Sequence, residues 1–150
     1  MSSTLVSLFA NTVAQQPEEP AIHLNQGDRF QARTWHQIGT DVLRTARVLS
    51  ELGIQPGDRV AQASDNRYEW IVSDLAIMTV RAVHVPMHAS LSGAQMLHQI
   101  TDSESKLLLL SGSHPADARR DHADALSSVE CLIYDPWSEM ANNPLAPVAL

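Results

Sequence analysis

One hundred and fifty residues, 44% of them hydrophobic, are enough for one domain with a buried core. A formal net charge of −7, with nine arginines and one lysine (Lys106) scattered among more numerous acids, argues against nucleic acid and anionic membrane surfaces as partners. The single cysteine, Cys131, excludes an internal disulfide and fits a reducing compartment.

The first twenty residues carry no basic segment and no unbroken apolar stretch, so neither a signal peptide nor a transit peptide is expected. No apolar run approaches the ~20 residues of a membrane span. A cytoplasmic setting without a transmembrane segment is the expectation.

Leu5, Leu8, Phe9 and Val13 fall at helical spacing, and Pro17 stops the pattern, which predicts a short amphipathic helix. Ala21–Leu24 and Arg29–Arg33 read as short strands around a turn in which Gly27 supplies positive φ. Thr34 and Gln37 have capping-box spacing, and Trp35, Ile38, Val42, Ala46, Leu49 and Leu52 form one apolar stripe. Gly53 is placed to end that helix, with Ile54 folding back on Leu49.

Gln55-Pro56-Gly57-Asp58 suits a type II turn into a strand, Arg59–Ser64. Asn66 and Glu69 again have capping-box spacing, ahead of a helix apolar around most of its circumference from Trp70 to Val80. Ala82–Val85 reads as a strand ended by Pro86, and Ser92 with Gln95 caps a helix carrying Leu97 and Ile100. Lys106–Leu110 is a continuous apolar strand, Pro115–Leu126 a weaker helix, and Glu130–Tyr134 a further strand. Strand centres near Val60, Val83, Leu107 and Cys131 lie 23 or 24 residues apart, room for a crossover helix each time. The expected fold is α/β: a mainly parallel sheet covered by helices, preceded by an N-terminal helix and a small hairpin. Residues 1–135 are expected to form this unit, and 136–150, broken by Pro136, Pro144 and Pro147, an irregular linker or a truncated end.

Constellations that carry chemistry are sparse. The glycines at 27, 39, 53, 57, 93 and 112 form neither a dinucleotide fingerprint nor a P-loop. Ser111-Gly112-Ser113 sits between a strand and a helix, where a capping role outweighs anion binding. His84 and His88 are four residues apart, but Pro86 between them precludes a shared helix face, so they read as a strand-end and a loop histidine rather than a metal pair. Cys131 in an apolar strand reads as a buried, inert thiol. Asp58, Asp65 and Asp74 suit a turn, a cap region and a helix face, Trp35 and Trp70 suit core packing, and Lys106 suits a strand-edge charge.

Several local patterns together resemble the N-terminal part of the adenylate-forming acyl-CoA synthetases. They are Thr34-Trp35-His36-Gln37-Ile38, Leu52-Gly53-Ile54-Gln55-Pro56-Gly57-Asp58-Arg59-Val60, Asn66-Arg67-Tyr68-Glu69-Trp70, Ala82-Val83-His84-Val85-Pro86 and Asp102-Ser103-Glu104-Ser105-Lys106. The third is similar to the branch that uses long-chain fatty acids. The resemblance spans roughly residues 5 to 112 and implies a fragment of an ATP-dependent long-chain fatty acid–CoA ligase, in which a carboxylate is adenylated and then passed to coenzyme A. It implies ATP, magnesium and coenzyme A for the complete enzyme. The phosphate-handling Ser/Thr/Gly-rich loop, the adenine site and the catalytic lysine follow later in such chains. No catalytic, cofactor-binding or metal-binding residue is therefore assigned here, and no catalysis is expected from this chain alone. Arg81 stands where the family usually has glycine, which puts close packing in question. The expected partner is the remainder of the ligase chain. The alternatives are a non-catalytic interaction or homodimerisation module of the same descent, and an unrelated flavodoxin-like nucleotide binder.

Overall fold

The computed structural model describes residues 4–25, 27–88, 90–110 and 129–133. The elements run α1 (Leu5–Gln15), β1 (Pro20–Asn25), β2 (Phe30–Thr34), α2 (Trp35–Glu51), β3 (Arg59–Ala63), α3 (Tyr68–Thr79), β4 (Val83–Met87), α4 (Gly93–Ser103), β5 (Leu107–Leu110) and β6 (Glu130–Ile133). The helix expected at 115–126, Ser111-Gly112-Ser113, and the irregular segment 136–150 lie outside the described residues.

β1 and β2 pair antiparallel as the expected hairpin, with Gly27 at φ 77° in its turn. The other strands form a wholly parallel sheet in the order β4-β3-β5-β6. Alternating side chains divide the core between its two faces. Val60, Leu107 and Leu109 pack with Ile38, Val42 and Leu49 of α2 and Val72, Ala76 and Ile77 of α3. Ala61, Ala63, Leu108 and Leu110 pack on the other face with Met96 and Ile100 of α4. A sheet covered on both faces requires continuous apolar strands, which is why Leu107–Leu110 has no polar alternation.

Local rules set most helix starts. Thr34 and Gln37 exchange bonds of 2.9 and 3.3 Å at the start of α2, and Ser92 and Gln95 bonds of 3.0 and 3.4 Å at α4. α3 differs from the expectation. Its N-cap is Arg67, without a side-chain cap bond, and Glu69 accepts from Arg67 Nε at 2.7 Å rather than closing a box with Asn66. Buried Tyr68 opens the helix, its hydroxyl donating to Asp41 Oδ2 on α2 at 2.7 Å, and this tertiary bond sets the start one residue later. α3 is also less enclosed than its composition suggests, since Ile71 is 39% exposed. Pro86 does not end β4 but lies within it. β4 is an edge strand among the described residues, and an edge tolerates a residue with no amide hydrogen.

Three helices end in the same two-bond turn. After α2, Gly53 donates to Ser50 and Ile54 to Leu49, both at 3.0 Å. After α3, Arg81 donates to Met78 and Ala82 to Ile77, both at 3.0 Å. After α4, Glu104 donates to Thr101 at 3.1 Å and Ser105 to Ile100 at 3.0 Å. The turn places its middle residue at positive φ, 81° for Gly53, 64° for Arg81 and 50° for Glu104. A glycine at position 81, as the family resemblance leads one to expect, would therefore answer a backbone requirement and not a shortage of room, because the Arg81 side chain is exposed.

Arg81→Gly removes left-handed strain of about 1–2 kcal/mol while adding unfolded-state freedom of about 0.5–1 kcal/mol. Urea denaturation should show a net gain near 1 kcal/mol by that arithmetic; a loss of stability would contradict this turn.

Candidate functional site

In an open parallel sheet the crevice for ligands forms beyond the carboxyl ends of the strands, near the point where the chain reverses its direction across the sheet. α3 returns over one face and α4 over the other, so this reversal lies between β3 and β5. Beside it, the segments following β3 and β4 enclose a cleft of about 350 Å³ lined by Ser64, Asp65, Asn66, Trp70, Pro86, Met87 and His88. The Ser64 hydroxyl donates to the Asp65 carbonyl at 2.9 Å. His88 Nδ1 accepts the Ser90 amide at 3.3 Å and stands 2.8 Å from Ser90 Oγ.

His84 lies behind Trp70, the indole and imidazole centroids 5.2 Å apart in an edge-on arrangement. Its Nδ1 is 2.7 Å from Asp74 Oδ1, and its side chain is only 9% exposed. Burial pushes the imidazole below its ordinary pKa, and the Asp74 carboxylate offsets part of that shift. The ring is thus neutral near pH 7, with Nδ1–H donated to Asp74 and the Nε2 lone pair facing inward. Nε2 has no partner, and neither has Oε1 of fully buried Gln62 on β3. Each such orphaned group costs about 1–3 kcal/mol.

The chemistry-bearing residues singled out in the sequence are distributed unevenly around this cleft. Asp65, Trp70 and His88 line it, so Trp70 is a site wall as well as a packing residue. Trp35 packs on Phe9, centroids 6.2 Å apart. Asp74, expected as a plain helix-face charge, holds His84 instead; the short turn at 80–82 folds β4 back against α3 and brings the two together. Cys131 lies on β6 opposite Leu108.

Asp58 and Lys106 sit at the far, amino end of the sheet. Asp58 Oδ2 accepts the Gln55 amide at 2.8 Å, and Oδ1 lies 2.7 Å from Lys106 Nζ, so the lysine is paired rather than a free edge charge. Lys106 first, then the Gln55 amide, holds the Asp58 carboxyl below its ordinary value. Arg59 is likewise engaged there, with Ser103 and Glu104. The cleft walls carry a carboxylate and neither lysine nor arginine. Among the described residues no three His, Cys, Asp or Glu side chains gather to hold a metal ion. The described residues do not fit a magnesium-bound triphosphate. No helix among them is long and apolar enough to cross a membrane.

Residues 9–148 match the family model described as AMP-binding enzyme. The chain is 30% identical over 142 residues to an oxalate–CoA ligase of Arabidopsis thaliana, covering 93% of this chain and 27% of that protein. It is 37% identical over 95 residues to the long-chain-fatty-acid–CoA ligase FadD15 of Mycobacterium bovis, covering 55% of this chain and 16% of that one. The N-terminal domain of FACL13 from Mycobacterium tuberculosis superposes with a TM-score of 0.82 at 25% identity, over 95% of this chain and 36% of that structure. The chain thus spans little more than a quarter of the length of these curated relatives, or less.

His84 titrates below the ordinary imidazole value of 6.5 in the folded chain and near that value when unfolded. As pH falls from 6.5 toward the lowered folded value, the unfolded chain takes up a proton that the folded chain does not, so stability declines. The melting temperature should fall over this window, and His84→Phe should flatten the slope; equal slopes in the two proteins would contradict the assigned environment.

Proposed function

The chain belongs to the AMP-binding enzyme family, and we propose that it supplies the N-terminal scaffold of an ATP-dependent carboxylate–CoA ligase acting on long-chain fatty acids. Such a ligase joins its acid to AMP as an acyl-adenylate and then to coenzyme A. The observation that carries the reading is the family match over residues 9–148, set beside a carboxyl-edge cleft without a cation to hold phosphates. Residues 1–135 then form the scaffold and 136–150 a linker, in a cytoplasmic setting, with the remainder of a longer ligase chain as partner. ATP, magnesium and coenzyme A belong to that remainder, and no residue of this chain is assigned to catalysis. Long-chain acids are favoured by the 37% identity to FadD15 and by Asn66-Arg67-Tyr68-Glu69-Trp70, which contributes Asn66 and Trp70 to the cleft wall.

A second reading has its own observation. Leu5 and Leu8 of α1 are 57% and 52% exposed and border an apolar groove with Phe9, Trp35 and Ile71, while Leu43 is 65% exposed beside a second groove along α1 and α2. Exposed apolar surface of this kind suits a covering partner, either later ligase sequence or a second copy in a non-catalytic dimer.

Pyrophosphate exchange with ATP and palmitate should be blank for the 150-residue chain; turnover would overturn the assignment. A chimera carrying residues 5–110 of this chain in place of the matching part of FadD15 should still make long-chain acyl-CoA. A folded but inactive chimera would count against the ligase reading. Light scattering addresses the second reading: a concentration-dependent dimer supports it, and a monomer at high concentration opposes it.

A further inference from the structure

Two arginines and a single carboxylate meet beside the start of α2. Arg33 on β2 and His36, Gln37, Thr40, Asp41 and Arg44 on α2 line a pocket of about 280 Å³, and none of them lines the carboxyl-edge cleft. Arg33 is half-buried, and its guanidinium lies over the Tyr68 ring, 5.6 Å from the centroid. Its Nε is shut away from solvent without an acceptor. Its two Nη atoms also lack an acceptor among the described residues, but they are not buried with Nε and so reach the surface.

The carboxylate of the pocket does not serve Arg33. Asp41 Oδ2 accepts from the Tyr68 hydroxyl at 2.7 Å, and Oδ1 faces Arg44 Nη1 at 3.8 Å. Burial first, and then the bond to Asp41, raises the Tyr68 pKa, so the phenol stays a donor to Asp41. Two fixed positive charges thus share one carboxylate, in a chain of net charge −7.

We propose that this pocket binds the oxyanion of a small molecule, a carboxylate or phosphate group, held by the Nη atoms of Arg33 with Arg44 as the second charge. A guanidinium matches two oxygens on one centre, with two parallel N–H donors. Contact with Tyr68 fixes the Arg33 side chain in advance, which lowers the ordering cost of binding. Gln37 Oε1 already accepts the Thr34 amide at 2.9 Å, so its NH2 group is left to donate as well. A cation would meet two like charges against a carboxylate already engaged twice. The volume of about 280 Å³ falls just under the usual range of drug-sized ligand sites, which suits one anionic group and not a nucleotide. The site is independent of the ligase reading, because it uses only residues of this chain.

Amide and Arg33 Nε–H spectra of the 15N-labelled chain test this, with sodium phosphate or sodium acetate replacing chloride at constant ionic strength. Saturable shifts at Arg33, Gln37 and Arg44 with either anion support the site; saturation by phosphate alone narrows the ligand to phosphate esters. Arg33→Lys keeps the charge and loses the planar fork, and should weaken binding about tenfold. Arg44→Gln changes a side chain 63% exposed, so the fold is kept, and should weaken binding severalfold. Shifts that never saturate, shifts equally large at the exposed Arg47 and Arg81, or unchanged affinity in both variants would each overturn the proposal.

Discussion

Strand β3 is hydrogen-bonded along both edges, to β4 and to β5, and is covered on both faces, so nearly all of it lies beyond the reach of water. Buried backbone amides and carbonyls must find partners within the protein, and a central strand finds them only if its neighbours are in register. That constraint organises the rest. It requires an apolar β5 beside β3, helices on both faces, and a chain reversal between the two strands. It also gathers the segments that leave β3 and β4 into one cleft at the carboxyl edge.

Gln62 is the exception inside this strand, a fully buried amide where an aliphatic side chain would fill the core without an orphaned oxygen. The Asp74–His84 pair is a second polar intrusion beneath the same helix. Core polarity that local packing does not require tends to sit where function or strain is found. Both intrusions gather at Trp70, while the ion pairs of Asp58 with Lys106 and Arg59 with Glu104 lie at the amino end.

How much of this was legible in the sequence follows the range of the interaction concerned. The start of α2 at Thr34, its end at Gly53 and the turn through Gly57 depend on residues within a few positions, and each stands as the spacing implies. The alternation of strand and helix likewise announced a parallel sheet. The start of α3 was misplaced because Tyr68 answers to Asp41 on another helix. Pro86 looked like a strand end because its edge position is a property of the sheet. The site was the least legible part. Asp74 and His84 are ten residues apart and meet where the turn after α3 folds β4 back against the helix, and the cleft is built from two segments that no local pattern links. The family resemblance located the scaffold correctly, and two of its motifs, 66–70 and 82–86, supply Asn66, Trp70 and Pro86 to the cleft, but a motif read along the chain does not say that they meet.

Native-state hydrogen exchange tests the role of β3 most directly. Amides of residues 60–63 and 107–110 should exchange only through global unfolding, with free energies equal to that from denaturation, while those of the β1–β2 hairpin exchange through smaller openings. Exchange of β3 amides as fast as those of the hairpin would contradict the account.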